Sequence, residues 1–479
     1  MVNNEINKNY LYNVGYQVFV LIIPLITVPY ISRVLGSTGV GINAFTNSII
    51  SYFVLFGSIG VNLYGNRQIA YVRDDKKLLS QTFWEISLLR IIVISITYVI
   101  FLIFLFFVQE YQSYYFYQSI LILSAGLDIS WFFMGMEDFK KTVLRNIVLK
   151  VLSLIVIFIF IKSQNDLGLY ILVINTSALL SNLVLWPYLK IYINKPCLKK
   201  LNIIKHLIPS LTLFLPQIAT QVYLVLNKTM LGYMTNVQNS GYYENTDKLI
   251  KIVLAIVTAT GTVMLPRMAN IFSSGNYQLI NKSIRQSFDF VSFISIPMAF
   301  GLASVADKFS IWFFGKEFAI TGQLIPILSI VIILIGWSNV LGMQYLLPTN
   351  QTKYFTISVT VGALVNLFLN VFFIKLFGIF GAIWATVISE CTVTLVQLYY
   401  VKNNVNISRL FIGVWKYALS AGIMFIAVRS LNNWMTGSLI CFIIQGMVGA
   451  IIYVVLVIIL RAPIILQFFQ VKEKFINRK

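Results

Sequence analysis

The sequence predicts an all-α polytopic membrane protein of about 14 transmembrane helices, arranged as two pseudo-symmetric six-helix bundles plus two C-terminal helices. Three observations lead there. Of 479 residues, 58% are hydrophobic and only 11% are charged, whereas about a quarter of the residues in a soluble domain carry charge. Apolar windows of about 20 residues, long enough to cross a bilayer at about 1.5 Å per residue, recur along the whole chain. The chain also matches itself at long, constant offsets.

The windows fall near residues 11–33, 39–63, 84–108, 114–135, 146–162, 167–189, 207–233, 241–265, 287–305, 321–346, 354–374, 379–401, 412–430 and 437–460. The start, MVNNEINKNY, has no basic leader region. The apolar stretch after it is too long for a leader and lacks a small-residue cleavage pattern, so a retained first helix is expected. With the amino terminus inside, most of the 36 basic residues fall in same-side connections, among them Arg67, Arg73, Lys76, Lys77, Lys140, Lys141, Lys282 and Lys479. The opposite side collects only Arg33, Lys162, Lys308, Lys316, Lys375 and Arg429. Basic residues concentrate in cytoplasmic loops, so both termini are expected in the cytoplasm. This asymmetry accounts for the net charge of +20 without nucleic acid. Cys197, Cys391 and Cys441 have no metal-ligand spacing, so no metal site or disulfide framework is expected.

Laid against itself, the chain matches Gly41, Thr46, Ile50 and Arg67 to Gly241, Thr246, Ile250 and Arg267 at an offset of 200. Val34-Leu35-Gly36 answers Met230-Leu231-Gly232 at 196, and Phe160-Ile161-Lys162 with Gly168 answers Phe373-Ile374-Lys375 with Gly381 at 213. The matches keep their order, which predicts an N-lobe over 1–200, a C-lobe over 201–403 and two extra helices with a basic tail over 404–479. Six spans is an even number, so the lobes share an orientation, and a substrate site is expected between them.

Window 241–265 is the stretch expected to line that site. Glu244, Asp247, Lys248 and Lys251 form one stripe at i, i+3, i+4 and i+7 on an otherwise apolar helix. Each charge near the bilayer centre costs about 2.5 to 3.5 kcal/mol, so the stripe should face water or protein. The plainer reading is two mutually neutralising pairs, Glu244 with Lys248 and Asp247 with Lys251. The offset of 200 sets Asn47 opposite Asp247 and Ser51 opposite Lys251, and Asn43, Asn47 and Ser51 share a stripe of their own. Together they read as walls of a wet cavity, polar on one lobe and on balance basic on the other. Arg90 and Asp128 lie at matching depths and read either as a structural ion pair or as functional groups. Gln217, Gln221 and Lys228 fall near one face of the seventh window, where Lys228 reaches either headgroups or cavity. Asn366 and Asn370 read as helix–helix contacts. Glu390 is a mid-membrane acid, a candidate H+ or Na+ site or a protonated structural group. Pro24, Pro29 and Pro216 interrupt the matching first helices of the two lobes, as hinges or static bends.

At Arg33-x-x-Gly36, Gly41, Gly57, Gly60 and Arg67, and again at Lys228-x-Met230-Leu231-Gly232, Gly241-Tyr242 and Leu265-Pro266-Arg267, the sequence resembles a known group. It is similar to the polysaccharide-export (Wzx-like) branch of the multidrug/oligosaccharidyl-lipid/polysaccharide exporter superfamily, over nearly the whole chain. Asn227 departs from the family pattern, in which an acid often precedes the lysine. Drug exporters of the superfamily often carry a carboxylate in span 1, and none lies between Leu11 and Ser32 here.

The resemblance implies a V-shaped, alternating-access transporter in the bacterial cytoplasmic membrane, moving an undecaprenyl-diphosphate-linked oligosaccharide outward through the lipid bilayer for surface polysaccharide assembly. It implies diphosphate contacts at successive depths: Arg67 and Arg267 at the inner mouth, Arg90, Lys248 and Lys251 deeper, and Arg33 and Lys228 near the outer end. The glycan would lie beside Asn43, Asn47 and Ser51, with Gln217, Gln221, Glu244 and Asp247 as further cavity candidates. Glu390 and Asp128 are the ion-coupling candidates. No cofactor is expected, with coupling to Na+ or H+ left open, and a polysaccharide polymerase and glycosyltransferases are candidate partners. Two readings of the same fold stay open, a lipid II or teichoic-acid precursor flippase and a multidrug or cation exporter. A membrane-embedded enzyme would need an acid/base set on a sizeable loop, and the one histidine, His206, sits at a window boundary.

Overall fold

The computed structural model describes the backbone of residues 2–195 and 201–465; the side chains of 2–14, 16–18, 139–142, 144, 215–217, 219, 220, 262, 263 and 277 lie outside the described residues. Among the described residues every regular element is helical and no strand occurs. In hydrocarbon a helix satisfies its own peptide groups, whereas an open sheet edge cannot. Eleven helical segments among the described residues are long and apolar enough to cross a membrane, and each of the expected windows coincides with helix.

The chain divides into two compact units, one running to Gly241 and the other starting at Tyr242. The first contains α1 (Val2–Ser58), α2 (Val61–Val72), α3 (Lys76–Phe107), α4 (Gln112–Gln118), α5 (Ile120–Leu127), α6 (Ser130–Gly135), α7 (Phe139–Phe160), α8 (Leu167–Leu183) and α9 (Leu207–Met234). The long α10 (Val237–Ser273) begins in the first unit and continues in the second. There follow α11 (Tyr277–Phe314), α12 (Thr321–Leu328), α13 (Ile330–Leu341), α14 (Thr352–Phe377), α15 (Ile379–Val401), α16 (Ile407–Leu410), α17 (Val414–Trp434) and α18 (Leu439–Ile459).

The first expected window and most of the second, up to Ser58, lie within α1 with no loop between them. The break is Gly36 alone, at φ 66° and ψ −178°, a combination that a residue with a Cβ adopts only under strain. A little further on, a Cβ at Gly41 would lie 2.1 Å from the carbonyl oxygen of Val237, and one at Gly241 would lie 2.8 Å from the Gly41 nitrogen. Residues matched in the repeat therefore touch. Gln238 Nε2 also donates to Thr38 Oγ1 at 3.1 Å, again 200 positions apart.

The core of the first unit is aromatic where α2, α3 and α6 meet. Phe83 stacks on Trp131 with centroids 5.6 Å apart, and Tyr64, Phe132 and Phe133 close around them. In the second unit α17 and α18 pack on α11 through Ile296, Tyr417, Ala421, Met424, Val428 and Tyr453. The periphery of both units is apolar: Ile100, Phe106 and Phe107 in the first, and Leu364, Phe368 and Ile451 in the second, are exposed. In water such a surface would drive aggregation, but it is the ordinary surface of a helix against acyl chains. The protein is a multi-pass membrane protein.

Candidate functional site

In the second unit the stripe on α10 forms as two i,i+4 pairs. Lys248 Nζ stands 3.0 Å from Glu244 Oε1, and Lys251 Nζ stands 2.6 Å from Asp247 Oδ2. The pairing reading therefore holds, but the lysines are not sealed. Their side chains keep 38% and 47% of their surface accessible, while the acids keep under a fifth. An ammonium exposed on a spanning helix needs water, because hydrocarbon would charge it about 2.5 to 3.5 kcal/mol. Each lysine is thus held beside its acid with part of its surface still accessible, a geometry in which one oxygen partner can be exchanged for another.

The amide stripe on α1 is organised differently. Gln118, buried on α4, donates through Nε2 to Asn43 Oδ1 (2.9 Å) and accepts at Oε1 from Asn47 Nδ2 (3.3 Å) and Asn175 Nδ2 (2.9 Å). Asn43 and Asn47 are only half-buried, so each can still offer edge atoms outward. Ser51 donates to the Asn47 carbonyl one turn back, at 2.7 Å. Arg90 is 3% exposed, 3.6 Å from Asp128 Oδ2, and donates to Asn62 Oδ1 at 2.7 Å. Its charge is engaged inside the first unit, as is that of Asp128, whose Oδ1 also accepts from the Ser130 nitrogen.

Beside Asp128 a cleft of about 510 Å³ opens among the ends of α5 to α8, lined by Arg145, Asn146, Lys150, Ser177 and Ser181 among others. Arg145 is buried; its Nε donates to Asn146 Oδ1 at 3.1 Å and its Nη1 to the Ser181 carbonyl. In the second unit a groove of about 520 Å³ between α11, α17 and α18 is apolar, lined by Phe293, Pro297, Met424, Gly449 and Tyr453.

Arg33, Arg67, Gln221 and Arg267 are exposed and Lys228 is half-buried. Arg67 also lies over the Tyr64 ring, 6.0 Å from its centroid. Glu390 is buried on α15, next to α14, whose Asn370 donates to Asn366 at 2.9 Å. Gln217 lies outside the described residues.

Sequence reasoning missed a densely bonded acid in the first unit. Glu85, with no exposed surface, accepts at Oε1 from Gln81 Nε2 (2.9 Å) and the Asn202 nitrogen (2.8 Å), and at Oε2 from Lys205 (2.6 Å) and His206 Nε2 (2.9 Å). Tyr64 completes the node at 2.7 Å from His206 Nδ1. Burial holds the His206 ring below the ordinary imidazole range, while the Glu85 bond partly opposes that shift. The signal was present: an acid in the third window and a Lys-His pair leading into the seventh.

Two family models match the chain, one described as polysaccharide biosynthesis protein over residues 6–272 and one described as lipid II flippase MurJ over residues 147–445. A putative O-antigen transporter of Escherichia coli strain K12 is 24% identical over 408 residues, 84% of this chain and 97% of the relative. The lipid II flippase MurJ of Bacillus subtilis strain 168 is 28% identical over 220 residues, 43% of this chain and 39% of the relative. Among solved structures, lipid II flippase MurJ in an inward closed conformation has a TM-score of 0.75 at 18% identity, covering 94% of this chain and 99% of that one. An outward-facing MATE family multidrug resistance transporter has a TM-score of 0.54 at 12% identity, covering 85% and 95%. These likenesses show the fold. The sequence matches go further: the chain belongs to the polysaccharide biosynthesis protein family and is a Wzx-like flippase of the multidrug/oligosaccharidyl-lipid/polysaccharide exporter superfamily, a transporter and not an enzyme.

Proposed function

We propose that this lipid-linked saccharide flippase carries an undecaprenyl-diphosphate-linked oligosaccharide repeat unit from the inner to the outer leaflet of the bacterial cytoplasmic membrane by alternating access, with both termini in the cytoplasm. One observation carries the reading. Lys248 and Lys251 are paired cations that keep accessible surface on an apolar spanning helix, and a diphosphate is the part of such a substrate that hydrocarbon excludes. Exchanging Asp247 for a phosphate oxygen replaces one charge-assisted bond of Lys251 by another, so hydration is given up without a bare charge. The apolar groove along α11, α17 and α18 suits a polyprenyl chain. The near-full-length match to a putative O-antigen transporter favours a surface-polysaccharide precursor. No cofactor is invoked. Coupling to Na+ or H+ is assigned to Glu390, a buried acid on a spanning helix, and collapse of each gradient by an ionophore tests it.

In proteoliposomes loaded with a fluorescent undecaprenyl-diphosphate oligosaccharide, Lys248→Glu/Lys251→Glu should lose flipping by at least about tenfold, while the double variant to arginine retains it. Wild-type rates from the charge-reversed protein would overturn the diphosphate role. A second reading, transport of a lipid II-type precursor, is favoured by the family-model match over residues 147–445. Rescue of a strain lacking its lipid II flippase, without rescue of a strain lacking its O-antigen transporter, would decide for it.

A further inference from the structure

The offset of 200 aligns two helix junctions as well as two glycines. In the first unit, the segment leading into α9 lies on α3 and Glu85 gathers Asn202, Lys205 and His206. In the second unit, the segment Val405–Leu410, which contains α16, lies on the start of α11 in the same way. Adding 200 to the first set puts Asn281 at the place of Gln81, Asn406 at that of His206, and Arg285 at that of Glu85. The architecture is repeated while the charge is inverted.

The inversion leaves a cleft of about 390 Å³ lined by Gln278, Asn281, Lys282, Arg285, Asn406 and Arg409, with only Val405 and Leu410 besides. Among the described residues three cations and three amides line it, and no carboxylate does. Among the described residues none of the three cations makes a salt bridge. Asp289, one turn along α11, attracts Arg285 but lies outside the lining and already accepts from the Tyr417 hydroxyl at 2.8 Å. Like charges around one hollow repel each other, and an anion in the hollow removes that repulsion. Two guanidinium forks, an ammonium and three amides present more donors than a carboxylate can use, and they match the several oxygens and higher charge of a phosphate.

We propose that the Lys282–Arg285–Arg409 cleft binds a phosphate group, taking from outside the chain the negative charge that Glu85 supplies at the matching place. The cleft lies at the end of α11, just before its apolar stretch, and Leu279 beside it is exposed. Its position suits the phosphodiester of an anionic phospholipid headgroup, and a free diphosphate offers the same oxygens.

Equilibrium binding to the detergent-solubilised full chain tests this, with dihexanoyl phosphatidylglycerol and inorganic pyrophosphate as probes and dihexanoyl phosphatidylcholine, whose choline cation offsets its phosphodiester, as the zwitterionic comparison of no net charge. Arg285→Glu gives the cleft the internal acid found in the first unit, so it should fold as the wild type does and bind at least about tenfold more weakly. Lys282→Gln/Arg285→Gln/Arg409→Gln should lose binding to the same extent. Phosphatidylglycerol binding that pyrophosphate does not displace assigns the cleft to the bilayer headgroup, whereas displacement assigns it to free phosphates too. Equal affinity of wild type and both variants for both anionic probes, or no preference for phosphatidylglycerol over phosphatidylcholine together with no pyrophosphate binding, would overturn the proposal.

Discussion

Glu85→Ala should destabilise the protein far more than loss of an exposed ion pair, and the amount follows from what each donor can do afterwards. Lys205 is half exposed and Gln81 is only partly covered, so both turn to water. His206 cannot: it is buried, its Nδ1 is held by Tyr64, and its Nε2 hydrogen is stranded, which costs about 1 to 3 kcal/mol. The Asn202 nitrogen, on an exposed residue, adds up to about 1 kcal/mol, giving about 1 to 4 kcal/mol in all. Glu85→Gln keeps one oxygen for Gln81 and Asn202 but turns an amide NH2 toward Lys205 and His206, so it should lose about 1 to 3 kcal/mol. The comparison is Arg73→Ala, which breaks the exposed 2.8 Å pair with Glu137 and should cost little, because water screens that pair. Unfolding in mixed micelles, followed by tryptophan fluorescence, ranks the three. If Glu85→Ala is no less stable than Arg73→Ala, the node does not hold the segment before α9 onto α3 and the reasoning fails.

Three further outcomes are expected. Gly41→Ala would drive a Cβ to 2.1 Å from the Val237 carbonyl and should destabilise by about 1 to 3 kcal/mol, whereas Gly422→Ala, with nothing within 4 Å, should be neutral or stabilise by up to about 1 kcal/mol; equal melting temperatures would contradict the contact. His206 sits below its unfolded value, so its contribution is present above about pH 6.5 and is lost as pH falls from there through the folded value. A melting-temperature gap between wild type and His206→Gln should therefore narrow on acidification. Arg90→Ala strands the partly buried Asp128 and should cost about 3 to 5 kcal/mol, while Arg90→Met/Asp128→Asn should recover much of that, as a double-mutant cycle of unfolding midpoints would show.

The spans were legible because hydrocarbon imposes one length and one composition on each of them, whatever they pack against. The repeat was legible through glycines because Gly41 and Gly241 mark a backbone approach that tolerates no side chain. The paired stripe on α10 could be read because both partners lie one turn apart on a single helix. Gln118, by contrast, meets Asn43 across 75 positions and Asn175 across 57, and no periodicity links residues that far apart. Glu85 and His206, 121 positions apart, escaped for the same reason. The polarity of a single stripe could be seen in the sequence, but its partner on a neighbouring helix could not.

The break at Gly36 has a practical consequence for anyone mapping sidedness. A tally of helices scores α1 as one crossing, although it joins two helices at Gly36, and an error of one inverts the assigned face of every later connection, from the Glu137 turn to the Asn403 turn. Around the break Arg33 and Thr38 are exposed and Val34 is half-buried, while Ile31, Ser32, Leu35 and Ser37 are enclosed. Epitope insertion or protease would therefore report silence there. A cysteine at Arg33 or Thr38 and a membrane-impermeant maleimide would restore the correct parity.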